Sequence, residues 1–129
     1  MIHSFKVVTT LSAYRCVAAH SVAFTVVYPT AANSFLLGVT KDTVKDTTNS
    51  IPVAGSGERA LLYFNDTAAS GDMVGSDSSG RGKKYTVAAD TTTSLTVTSA
   101  YLGVLIGPAV SSTGTIAEVY ICPGLAKGL

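Results

Sequence analysis

The sequence predicts an all-β fold: a small Gly-rich β-barrel or tulip-like sandwich with at most one or two short helical turns. Three observations carry that expectation. Ser and Thr make up about a quarter of the 129 residues, well above ordinary usage. Helical periodicity is nearly absent along the chain. Short apolar or alternating runs are separated by clusters of Gly, Asn, Asp and Ser, the pattern of sandwiches and barrels. Thr, Val and Tyr fit half-buried pleated surfaces, whereas Ser and Gly fit the turns between them.

A chain of this length is expected to form one domain, 1–129. Residues 1–5 read as an extended N-terminal arm, with Ile2 and Phe5 as apolar anchors on a neighbour. Strands are expected over 5–10, 16–28, 35–40, 51–53, 58–64, 73–75, 84–88, 94–98, 101–106 and 115–121. The stretch 22–28 lacks regular alternation and suits burial on both faces. By contrast, Ser94-Leu95-Thr96-Val97-Thr98 alternates cleanly, with Leu95 and Val97 on one face and three hydroxyls on the other. Only 33–35 and 67–70 look capable of a helical turn.

The reversals are more sharply specified than the strands. Ala54-Gly55-Ser56-Gly57 lets the backbone turn before Glu58, because glycine accepts positive φ without steric cost. Ser70-Gly71-Asp72 opens another reversal. Asp77-Ser78-Ser79-Gly80 fits a type I turn with Gly in the left-handed position, joining two short strands as a hairpin. Ser111-Ser112-Thr113-Gly114 does the same before the last strand. A faint internal echo links Phe35-Leu36-Leu37-Gly38-Val39 to Ala100-Tyr101-Leu102-Gly103-Val104. A glycine inside such a strand marks a bend or a close backbone approach.

Composition narrows the function. Nine basic and eight acidic residues leave a formal net charge of +1, so no long-range field steers the chain to nucleic acid or an anionic membrane. Low charge also weakens self-repulsion and favours ordered self-association. Arg81, Lys83 and Lys84 form the one basic cluster, which reads as a solvated loop. The stretch 17–32 resembles an export signal only superficially, since His20, Ser21, Thr25 and Pro29 interrupt it. No apolar run approaches the roughly 20 residues that span a bilayer as a helix, and a soluble protein is expected.

No catalytic set emerges. His3 and His20 are the two histidines; His3 sits near a chain end and His20 interrupts an apolar strand. At strand spacing Cys16 and His20 would share a face yet stand roughly 13 Å apart, too far for a hydrogen bond. The two cysteines, Cys16 and Cys122, read as thiols, with their mutual distance left open by the sequence. Asp72 and Asp77 lack the ligand rhythm of a calcium loop, and the Cys and His residues lack zinc spacing. Gly80-Arg81-Gly82-Lys83-Lys84 lacks the strand-then-helix setting of a phosphate loop. Asn65-Asp66-Thr67 fits a glycosylation sequon of chance length. No enzyme activity, cofactor or metal is expected. Tyr63, Tyr85, Tyr101 and Tyr120 are expected to pack half-buried with their hydroxyls at the surface or an interface, rather than as a sugar-stacking platform.

Between residues 35 and 121 a series of short motifs follows in order. They are Leu37-Gly38-Val39-Thr40, Ile51-Pro52-Val53 leading to Gly57, Gly71-Asp72-Met73-Val74 with Asp77 and Gly80, Tyr101-Leu102-Gly103-Val104, and a final strand over 116–121. This series resembles the small Gly- and Ala-rich capsid decoration, or cement, proteins of tailed phages. The resemblance implies a β domain made in the host cytoplasm that binds the major capsid protein on the outer surface of the assembled head and stabilises it. It further implies self-association, as a homotrimer first and a dimer second. Ile2, Phe5, Tyr63, Tyr101 and Tyr120 are the expected contacts with capsid or sister subunits. The alternative is an adhesion or glycan-binding β module of a phage fibre or cell surface.

Overall fold

The computed structural model describes residues 2–7, 9–29, 35–43, 50–85 and 98–127. These residues are all-β, without a helix. Five strands close a barrel: β1 (Ile2–Val7), β2 (Cys16–Ala19), β3 (Thr25–Val27), β4 (Leu36–Thr40) and β5 (Ser50–Ala54), in the spatial order β1-β3-β2-β4-β5. The β1–β3 pair is parallel and the other four pairs are antiparallel. Five further strands form a second sheet: β6 (Arg59–Tyr63), β7 (Met73–Ser76), β8 (Gly82–Lys84), β9 (Thr98–Leu105) and β10 (Ile116–Lys127), in the order β6-β10-β9-β7-β8. A parallel bridge from Phe64 to Gly82 draws its two edges together at one end.

Three expectations change. Residues 2–5 are not a free arm. They begin β1 and pair along β5, from Ile2 opposite Ala54 to Phe5 opposite Ile51, because closing the barrel satisfies backbone groups that an arm would leave to solvent. The stretch 16–28 is not one strand but the hairpin β2–β3, folded back so that Ala19 meets Val26. Residues 67–70 form no helical turn; Ala68 exchanges backbone hydrogen bonds with Val110 instead. The expected turn at 33–35 and strands at 84–88 and 94–98 lie largely outside the described residues.

Alternation along the strands divides the buried side chains into two cores. Val7, Leu11, Val17, Val26, Ile51 and Val53 fill the barrel, with Phe5, Tyr28 and Leu37 packed against them. The larger core lies between barrel and sheet. There Cys16, Leu36, Val39 and Ala54 from the barrel meet Leu62, Phe64, Val74, Leu102, Leu105, Val119 and Ile121 from the sheet. β4 therefore feeds both cores.

The echoed Leu-Gly-Val segments lie in β4 and β9 and serve one purpose. A Cβ on Gly38 would overlap the carbonyl oxygen of Ala54, and one on Gly103 would overlap that of Tyr120. Each glycine lets a neighbouring strand come closer than any side chain permits. Pro123 sits where the β9–β10 register shifts, between Ile121 and Gly124, the irregular position a strand proline requires.

Polar groups lock the barrel's loop 12–15 onto β4. The buried Thr40 hydroxyl donates to the Ser12 carbonyl at 2.7 Å and accepts from the Arg15 N–H at 3.0 Å. The Arg15 guanidinium then crosses to the second sheet, lying 4.7 Å from the Tyr63 ring centroid and donating to the Ser79 carbonyl at 3.3 Å. The adjacent Cys16 N–H donates to the Gly80 carbonyl at 2.6 Å.

Gly38→Ala and Gly103→Ala should each lower stability by about 3 kcal/mol or more, at the upper end of overpacking costs. Denaturant unfolding measures this. Alanine variants within about 1 kcal/mol of wild type would show that the strands do not need this close approach.

Candidate binding surface

The second sheet buries one face and exposes the other. On β6, Ala60 and Leu62 point into the core while Arg59 and Leu61 point out; on β10, Ala117, Val119 and Ile121 point in while Ile116, Glu118 and Tyr120 are outward. Cross-strand partners share a face, so the register defines the outer surface row by row. Arg59, Tyr120, Val104 and Met73 form one row. Leu61 and Glu118 form the next, extended by Ile106, whose N–H donates to the Glu118 carbonyl. Tyr63 and Ile116 form a third.

This outer face is apolar. Leu61, Met73, Ile106, Ile116 and Tyr120 are all exposed, with Tyr120 retaining 41% of its accessible surface. Such a cluster differs from the isolated exposed hydrophobics common on monomer surfaces, which makes this face the candidate binding surface. Arg59 and Glu118 form an ion pair within it, Nη1 to Oε1 at 3.5 Å. Being solvent-exposed, the pair adds little to stability, but it balances charge where β6 meets β10; edge strand β8 adds the exposed Lys83 opposite Gly75. Beside edge strand β6, Tyr14, Thr40, Lys41, Arg59, Ala60, Leu61 and Glu118 line a cleft of about 340 Å³.

The five expected contact residues separate. Tyr120 lies on the outer face, in the row between Arg59 and Val104. Tyr63 shares that face, in the row with Ile116, but is half-buried beneath the Arg15 guanidinium. Tyr101 packs edge-on against Tyr85, with ring centroids 5.6 Å apart, and covers Gly124. Phe5 packs against the barrel core, and Ile2 lies at the barrel seam in β1. The structure does not gather these residues into one patch. Leu61, Met73, Val104, Ile106 and Ile116 were missed as a surface. Their signal was apolar residues at both odd and even positions of 58–64 and 115–121, which marks strands with two apolar faces.

The remaining sequence candidates have structural surroundings. Asp77 organises its own turn, accepting from the Ser79 and Arg81 N–H groups and from Arg81 Nε at 2.8 Å. Asp72 instead accepts from the Ala69 N–H and lies 3.8 Å from Lys84 Nζ. Among the described residues no group of three or more His, Cys, Asp or Glu side chains is placed to hold a metal. His20 Nδ1 accepts from the Val22 N–H at 3.1 Å, at the base of the β2–β3 turn rather than in the core. Cys16 and Cys122 are free thiols, the first buried and the second partly exposed.

Burial strips water from the Cys16 thiolate and pushes the thiol from 9.0 up to about 12; a hydrogen bond with Ser76 opposes the shift and the Asp77 charge adds to it. The unfolded chain releases this proton near pH 9, whereas the folded chain holds it to about 12. This contribution to stability is therefore complete below pH 9 and is lost as pH rises toward 12.

No family model and no curated protein matches the sequence. The fold is nevertheless shared with a solved structure. The chain is similar to the head fiber gp8.5 N base of bacteriophage phi29, with a TM-score of 0.64 over 95% of this chain and 93% of that one, at 12% sequence identity.

At pH 8, iodoacetamide should label Cys16 at least about tenfold more slowly than Cys122, because the thiolate is the reactive form and the buried site disfavours it. Peptide mass spectrometry reads both rates. Equal labelling in the folded protein would contradict the buried placement of Cys16.

Proposed function

We propose that the chain is a non-enzymatic structural virion protein that binds the outer surface of an assembled phage capsid, through the major capsid protein, and stabilises it. The observation that carries this reading is the near-full-length fold likeness to a head-fiber base. The apolar outer face supports it, because a structural role needs adhesive surface rather than a reactive group. The cleft beside β6 holds Tyr14, Lys41, Arg59 and Glu118 as its ionisable side chains, with the carboxylate already beside Arg59.

In this reading the outer face of the second sheet meets sister copies, as a homotrimer. Around β6 and β10 the face carries one cation and one carboxylate, so Arg59 of one copy can face Glu118 of the next. Attachment of several copies through several weak contacts yields strong total retention. The adhesive, glycan-binding alternative ranks behind this reading because Tyr63 and Tyr101 are engaged by Arg15 and Tyr85. Their rings are therefore not a free stacking platform.

Co-sedimentation with purified shells of the matching phage tests the function. Stoichiometric pelleting is expected, and a protein that stays in the supernatant removes the reading. Sedimentation velocity tests the sister-copy contact. Ile116→Glu should convert the oligomer to monomer while leaving the circular dichroism spectrum unchanged, and an undiminished oligomer would remove that contact.

A further inference from the structure

The tip of the β2–β3 hairpin combines two features that disfavour the isolated chain. Phe24 occupies the left-handed backbone region, at φ 58°, where a bulky side chain is a steric outlier. Phe24 is also 79% exposed. A four-residue hairpin loop, 21–24, is bracketed by the His20 N–H donating to the Thr25 carbonyl. A left-handed residue closing such a loop is ordinarily Gly or Asn. Phenylalanine adds strain there, and its exposed ring gives little packing in return. A residue that breaks a local rule without compensation inside its own chain points to a role outside it.

The surroundings specify the partner. Val22 is 54% exposed beside Phe24, and Phe35, just before β4, is 48% exposed. β2 pairs Ala18 with Leu36, which places Phe35 at the same end of the barrel as the hairpin tip. Lys6 adjoins the tip, its N–H donating to the Phe24 carbonyl at 2.8 Å, and its side chain is exposed. Together the three apolar side chains offer about 300 Å², given that a whole aromatic side chain presents roughly 150–250 Å². A stable pair of proteins needs about 800 Å² from each partner. The tip is too small to hold two copies together alone, but it suits insertion into a pocket of a larger surface as a central anchor.

We propose that this hairpin tip anchors the chain to its shell, with Phe24 entering an apolar protein pocket whose rim carries carboxylates facing Lys6. The proposal rests on the reading of the chain as a capsid-binding protein, and it assigns the shell contact to the barrel end rather than to the second sheet.

Phe24→Gly separates a binding role from a folding role. Glycine relieves the backbone strain, so the thermal midpoint should hold or rise, while affinity for purified shells should fall at least tenfold. Phe24→Asn, also compatible with the left-handed region, should behave alike. Lys6→Glu should weaken binding and reverse its salt dependence. Wild-type pelleting with undiminished pelleting of both Phe24 variants overturns the anchor and leaves the capsid reading standing. Failure of the wild type to pellet overturns the capsid reading and the shell as occupant together. A lowered midpoint in both variants would give Phe24 a folding role and overturn the argument from strain. Flotation with phosphatidylglycerol–phosphatidylcholine vesicles should show no binding; Phe24-dependent flotation overturns the protein pocket in favour of a lipid surface.

Discussion

A strand shared by two cores holds this molecule together. β4 sends Leu37 toward the barrel core and Leu36 and Val39 into the core shared with the second sheet. Between them Gly38 admits the Ala54 carbonyl, and Thr40 ends the strand by fastening the 12–15 loop through its hydroxyl. Barrel closure and sheet docking therefore draw on the same five residues. Apolar burial supplies the main driving force, but the position of the sheet is fixed by directional contacts close by. Arg15 reaches Tyr63 and Ser79, and Cys16 meets Gly80.

That arrangement explains why so few charges suffice. Polar side chains such as Thr40 and Asp77 are committed to loops and turns. On the second sheet, β6 and β10 carry the exposed Arg59–Glu118 pair among apolar outward side chains, and edge strand β8 carries the exposed Lys83 and Lys84. The apolar tip lies at one end of the barrel, on strands that do not belong to the second sheet. One small domain thus exposes two separate apolar regions.

The reversals were legible because glycine chemistry is local. Gly57, Gly71, Gly80 and Gly114 all adopt positive φ at turns marked by their sequence neighbours. The echoed Leu-Gly-Val segments also proved meaningful, since Gly38 and Gly103 meet equivalent carbonyls. What the sequence concealed depends on distant partners. Nothing local to 2–7 announces a parallel neighbour at Thr25, and nothing beside Tyr63 or Tyr101 announces Arg15 or Tyr85. The outer sheet face was concealed differently. Strands with apolar residues on both sides give no contrast between core and surface, so Leu61 and Leu62 read alike until the pairing is known.

The barrel seam also sets an order of assembly. β1 closes against β5, some fifty residues further along, and against β3 by a parallel pairing that no short turn can supply. Local hairpins such as β2–β3 and β7–β8 can zip up on their own, but the first strand must wait for the fifth. Long-range pairing of this kind slows folding, so the opening segment of the chain is among the last parts of the barrel to find its place.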